Sequence, residues 1–83
     1  MNVERAMLKG QLSDLKERRI ELATAIQANV RAVKTTLAPA MVSPIVEIDL
    51  AGALVHLGEA KRLQDEYREV LGRIAEIEKE LGD

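Results

Sequence analysis

Leu8, Leu12, Leu15, Leu22, Ile26 and Val33 fall on alternating four- and three-residue steps, interrupted only by Arg19 and Asn29. A period near 3.5 residues, sustained for about four heptads, is the spacing of an a/d seam. It commits the first half of the chain to a long helix packed lengthwise against another. The spacing predicts helix from about Asn2 to Ala38. Gly10 within it costs about 1 kcal/mol relative to Ala, which a helix of this length tolerates. Pro39 then predicts its end, because proline has no N–H and biases the residue before it away from helical geometry.

A second seam follows in Leu63, Tyr67, Val70, Ile74, Ile77 and Leu81. Helix is expected from about Leu50 to Leu81, with Asp49 as an N-cap and Gly82 as a stop. A start at Pro44 with Ser43 as the cap is the other possibility. The loop-proximal part reads Leu50, Leu54, Leu57, Ala60, Leu63. Its last three steps are all threes, a stammer that overwinds a helix locally or shifts its apolar face. Residues 39–49 form the connection. Met41, Val42, Ile45 and Val46 make it unusually apolar for a loop, so it should be packed against something.

Two helices of about 50 Å joined by a short connection favour an antiparallel hairpin. Charge supports that pairing: residues 1–38 carry seven Lys/Arg against four Asp/Glu, and residues 49–83 carry five against nine. The arms therefore differ in sign, at +3 and −4. Folding back near residue 43 brings Arg19 toward Glu66 or Glu69, and Asn29 toward Ala60 or His56. Asp14–Arg18, Arg62–Glu66 and Glu69–Arg73 are spaced as i,i+4 pairs. A single Asn on a seam fixes register or oligomeric state at some cost in stability, and that role is expected of Asn29, with His56 as a polar packing residue beside it.

With 83 residues, one Tyr and no Phe or Trp, the chain has little large side-chain volume for a globular core. At this length the chain stands only just above the roughly 70–80 residues below which an isolated core rarely supplies more than 3–5 kcal/mol. Both arms widen their apolar stripes near the loop beyond what one neighbour covers. The expectation is an all-α chain of one unit, 1–83: an antiparallel two-helix coiled coil dimerising into a four-helix bundle. Val30, Val33, Leu37, Met41, Val42, Ile45, Val46, Leu50, Leu54 and Leu57 are the residues expected at the oligomer or partner interface.

Residues that could carry chemistry are few. The only histidine, His56, stands one turn before Glu59, but helix 1 offers no acid between Glu21 and the loop to complete a metal site. The glycines of Gly52 to Lys61 have the wrong spacing for a phosphate loop. Ser13 and Ser43 lack a base partner. There is no cysteine, which excludes disulfides and thiolate metal sites. A formal charge of −2 gives no electrostatic bias toward nucleic acid or a membrane. Arg18, Arg19, Arg31 and Lys34 read as a solvated face rather than a recognition stripe. The first five residues lack a signal-peptide layout, and no apolar run approaches the roughly 18 residues that cross a bilayer. No cofactor, no catalysis and a cytoplasmic setting are expected.

The Leu-rich first arm, the segment Pro44-Ile45-Val46-Glu47-Ile48-Asp49-Leu50 and the Ala/Leu-rich start of the second arm resemble small coiled-coil proteins carried by Mu-like prophages. The resemblance implies a bacterial cytoplasm and brings no activity with it. The function expected is that of a self-associating structural or adaptor module that binds itself and another protein. A small nucleic-acid-associated regulator is the alternative.

Overall fold

The structure, a computed structural model, describes residues 3–82. Two helices, α1 (Val3–Leu37) and α2 (Leu50–Glu80), run antiparallel along each other. The hairpin measures 68 × 16 × 14 Å, with a radius of gyration of 18.9 Å. A compact domain of this length would have about 12 Å. The chain is thus an extended all-α hairpin, as the seams require. The expected first helical residue, Asn2, lies outside the described residues.

The α-helical hydrogen bonding of α1 ends at Leu37, where Pro39 can neither donate an N–H nor fit beneath the preceding turn. Winding does not stop there, contrary to expectation. It tightens into a 3-10 turn over Ala38–Met41, in which Pro39 occupies an early position that needs no donor. The Pro39 carbonyl accepts from the Val42 and Ser43 N–H groups at 3.1 and 2.9 Å. A second 3-10 turn, Ile45–Glu47, follows Pro44, whose carbonyl accepts from Glu47 N at 2.9 Å. The connection is therefore two short turns, each anchored on a proline carbonyl. Asp49 then caps α2, its Oδ1 accepting from Gly52 N at 2.8 Å, so the Leu50 start holds and the Pro44 start does not. At the far end Leu81 is the C-cap, and Gly82 takes φ +78°, a left-handed value that glycine adopts without a Cβ clash.

The core is the seam. Leu22, Leu63, Val70 and Ile74 form one buried cluster, with Leu12, Leu15, Ala25, Ile26 and Tyr67 packed on it. Ile77 and Leu81 extend the burial to the open end of the hairpin. There Arg5 Nη1 donates to the Leu81 carbonyl at 2.9 Å, satisfying an acceptor that the helix end leaves open.

The stammer expected in α2 is absent. Toward the bend the buried seam continues from Leu63 through Ala60 and Ala53, both 6% exposed, with half-buried His56 between them. Read from 53 to 81, the inward positions keep alternating three- and four-residue steps without a break. Leu50, Leu54 and Leu57 lie beside that seam and face outward. The phase set by the large residues from Leu63 to Leu81 carries two alanines inward and displaces the leucines by one position. Ala60 thus keeps its expected seam position, whereas Leu50, Leu54 and Leu57 do not.

Candidate interaction surface

The inversion divides the hairpin into two halves. In the open half, α2 turns Leu63, Val70, Ile74, Ile77 and Leu81 toward α1. In the loop-proximal half the only buried residues of α2 are Ala53 and Ala60. Burying an alanine withdraws far less apolar surface than burying a leucine. The helices are consequently held together mainly at their open end, while the larger apolar groups near the bend remain in water.

Those groups form a continuous surface. Val33, Leu37, Leu50, Ala53, Leu54 and Leu57 line an apolar groove of about 290 Å³ on one face of the hairpin. Leu57 also belongs to a second hollow of about 200 Å³, lined by Ile26, Val30, Ala60, Lys61 and Gln64, which prolongs the groove toward the open end. Gln27, Arg31 and Lys34 border the α1 side next to Val30. Beyond the groove, at the bend, Met41 is 93% exposed and Val46 92%, with Val42 and Ile45 close behind. The expectation that this connection packs against something is not met within one chain: its apolar side chains face solvent.

Within the seam at the same level, Asn29 and His56 meet. Asn29 Nδ2 donates to the Ala25 carbonyl at 3.0 Å, which leaves Oδ1 facing His56 Nδ1 at 3.3 Å. An amide oxygen only accepts, so a hydrogen bond here requires the tautomer that carries its proton on His56 Nδ1. The pair is half-buried, between Ala53 and Ala60. Small neighbours leave room for two polar side chains where leucines would not.

Charged groups occupy the flanks. Arg18 donates from Nε to Glu66 Oε2 at 2.7 Å and from Nη2 to Oε1 at 3.0 Å. Arg18, rather than the expected Arg19, takes this partner. A flanking position lets a long side chain reach across the seam, whereas Arg19 lies on the seam itself. The hydrogen bonds from Arg18 hold the Glu66 carboxyl below its ordinary value. Arg73 Nη2 donates to Gln11 at 3.3 Å, and Lys16 lies 3.8 Å from Glu78. The i,i+4 pairs expected from spacing do not form. Arg18 crosses to the other helix, Arg62 turns back to Glu59, holding that carboxyl low as well, and Arg73 takes Glu76 at 3.2 Å. Lys61–Asp65, at 2.6 Å, is the one i,i+4 bridge observed among the described residues.

Among the described residues no group of three or more His, Asp or Glu side chains converges as a metal site would require. Glu59, one turn from His56, is engaged by Arg62. Nor, among these residues, is any helix long and apolar enough to cross a membrane. The surface offers apolar contact area bordered by polar groups, which suits association with a helical or apolar partner. Two of its features escaped sequence reading: the inward phase of Ala53, where Leu54 was expected, and the reach of Arg18. Continuity of the seven-residue phase from the Leu63–Leu81 seam was the signal for the first. Compared with known protein families, curated proteins and solved structures, the chain matches none of them.

Proposed function

We propose that this chain is a non-catalytic helical hairpin that self-associates through its loop-proximal half into a four-helix bundle and serves as a structural or adaptor module. One observation carries the reading. Val30, Leu50, Leu54 and Leu57, with Met41, Val42, Ile45 and Val46 at the bend, are exposed, while at the same level the buried positions of α2 are held by Ala53 and Ala60. A chain designed to stand alone would place Leu inward and Ala outward, since each leucine buried contributes about 1.5–3 kcal/mol. The inverted arrangement is stable where the outward leucines meet a further apolar surface. The bacterial cytoplasmic setting, and the likeness to prophage coiled-coil proteins, belong to the same proposal.

Sedimentation equilibrium between micromolar and several hundred micromolar protein tests the reading. The expected result is a species of at least twice the 9.2 kDa chain mass. A monomer across the whole range would overturn it.

A further inference from the structure

We infer that a second copy of this chain covers the loop-proximal groove with its bend at the same end, α1 of each copy lying over α2 of the other, so that the two bends meet and close the end of the bundle. This rests on the self-association proposed above and specifies the geometry it takes.

The area available fits such an occupant. Val30, Leu50, Leu54 and Leu57 on the face, with Met41, Val42, Ile45 and Val46 at the bend, are between 45% and 93% exposed. Burying a side chain of this kind removes roughly 60–120 Å² of apolar surface, so together they offer on the order of 600 Å². A standard interface takes about 800 Å² from each partner, about 65% of it apolar in homodimers, or roughly 500 Å². One self-complementary contact thus matches the apolar surface exposed along the groove and at the bend.

Two aligned two-fold arrangements place this face against itself. With the axis across the hairpins, α1 lies on α1, α2 on α2, and the bends point in opposite directions. With the axis along the hairpins, α1 lies on α2 of the second copy and the bends coincide. Charge separates them. Arg31 and Lys34 border the groove on the α1 side beside Val30, and no acidic residue occurs between Glu21 and Glu47. The crosswise axis sets these two cations against the same two of the second copy at the same level, with no acid to intervene. Like charges placed opposite each other at an interface disfavour that pairing. The lengthwise axis sets them against the outer side of the second copy's α2, where Ala51 and Gly58 carry no charge. It also places the +3 arm over the −4 arm. Level matching follows without adjustment. Val30 already shares a hollow with Leu57, and Leu37 a groove with Leu50, so the same residues meet again between copies.

The bends settle the remaining surface. In the lengthwise arrangement Met41, Val42, Ile45 and Val46 of the two copies face each other at one end. In the crosswise arrangement each bend would lie against the other copy's mid-helix, near Lys61 and Gln64.

Single-cysteine spin labelling tests this directly, because the chain has no cysteine of its own. Glu47→Cys and Lys79→Cys place labels at exposed positions near the bend and near the open end, respectively. The groove is centred about ten residues from the bend and about 25 from Lys79. At 1.5 Å per residue, the crosswise arrangement separates the Glu47 labels by about 30 Å and the Lys79 labels by about 75 Å. The lengthwise arrangement brings both pairs within about 20–25 Å, given interaxial distances of about 8–10 Å. Pulsed dipolar distances are measured on samples whose mass is established by sedimentation, with helicity confirmed by circular dichroism. Short distances at both positions are expected. A dimer whose Lys79 labels lie near 75 Å apart overturns the inference and leaves self-association standing. A monomer overturns both.

Discussion

Arg18 on α1 and Glu66 on α2, 48 positions apart, form a two-pronged hydrogen-bonded ion pair at 2.7 and 3.0 Å across the flank of the seam. The planar guanidinium matches both carboxylate oxygens at once, so the contact fixes how far one helix has slid along the other as well as adding attraction.

The pair has a pH signature. Hydrogen bonds from Arg18, and its charge, hold the Glu66 carboxyl below the ordinary 4.5, against a smaller opposing effect of burial. A carboxyl whose folded value is depressed binds its proton more readily when unfolded. Its contribution to stability is therefore complete above about pH 4.5 and is lost as pH falls through the lower folded value. Urea unfolding at pH 7 and pH 3 should show a larger acid loss in the wild-type chain than in Glu66→Gln. Equal losses would mean that the bridge contributes nothing in solution. Glu59 is depressed in the same sense by Arg62, but both lie on α2, and the pair persists wherever that helix does.

Glycine substitutions should separate capping from propensity. A Cβ at Gly10 would touch nothing within 4 Å, so Gly10→Ala should stabilise the chain by about 0.5–1 kcal/mol. At Gly52 an added Cβ would collide with the Asp49 carboxylate, the group that accepts from Gly52 N. Gly52→Ala must push that cap aside, and losing an N-cap costs about 1 kcal/mol, which cancels the helix-propensity gain. Thermal melts of the two variants should differ by about 1 kcal/mol. Equal gains would show that Asp49 caps equally well from another rotamer.

Most of the fold was legible because the seams are long and their phase is unbroken. Leu8 to Val33 and Leu63 to Leu81 identify two helices, and Pro39 with Asp49 bounds them to within a residue or so. The site was harder to read. From Leu50 to Leu57 the largest apolar residues lie beside the seam and not on it, so a reading by size follows leucine and invents a stammer. The helix follows phase instead, since twisting α2 to bury Leu54 would break its register with α1 from Leu63 onward. The mismatch between phase and size is itself the trace of the outward surface. Arg18 escaped for a related reason: seam arithmetic locates Cα positions, whereas a long side chain on the flank reaches beyond its own level.

The Asn29–His56 contact gives a prediction of the opposite kind. A polar pair in a helical seam costs stability relative to an apolar one and restricts the alignments available. Asn29→Leu combined with His56→Leu should raise the unfolding free energy by about 1 kcal/mol or more, and the assembled species should become heterogeneous in sedimentation velocity. His56→Ala alone should lower stability by about 1 kcal/mol, because Asn29 Oδ1 loses its partner. A double variant that is more stable and still uniform would show that alignment is set elsewhere, with Arg18 and Glu66 the next pair to exchange.

Leu22 and Leu54 make the decisive comparison, since the same side chain is 1% exposed at one position and 65% at the other. Leu22→Ala should cost about 2–5 kcal/mol at any protein concentration, because its surroundings lie within one hairpin. In a solitary hairpin, Leu54→Asp would change stability by no more than about 0.5 kcal/mol, as surface substitutions do. If a second copy covers Leu54, the aspartate enters an apolar interface without a partner and association fails. The wild-type melting temperature should then rise with protein concentration, as it must when folding is linked to assembly. Leu54→Asp should melt lower and independently of concentration while keeping its helical circular dichroism at low temperature. Should Leu54→Asp and the wild type melt together at every concentration, the leucine stripe faces water in solution, and the outward phase of α2 needs a different explanation.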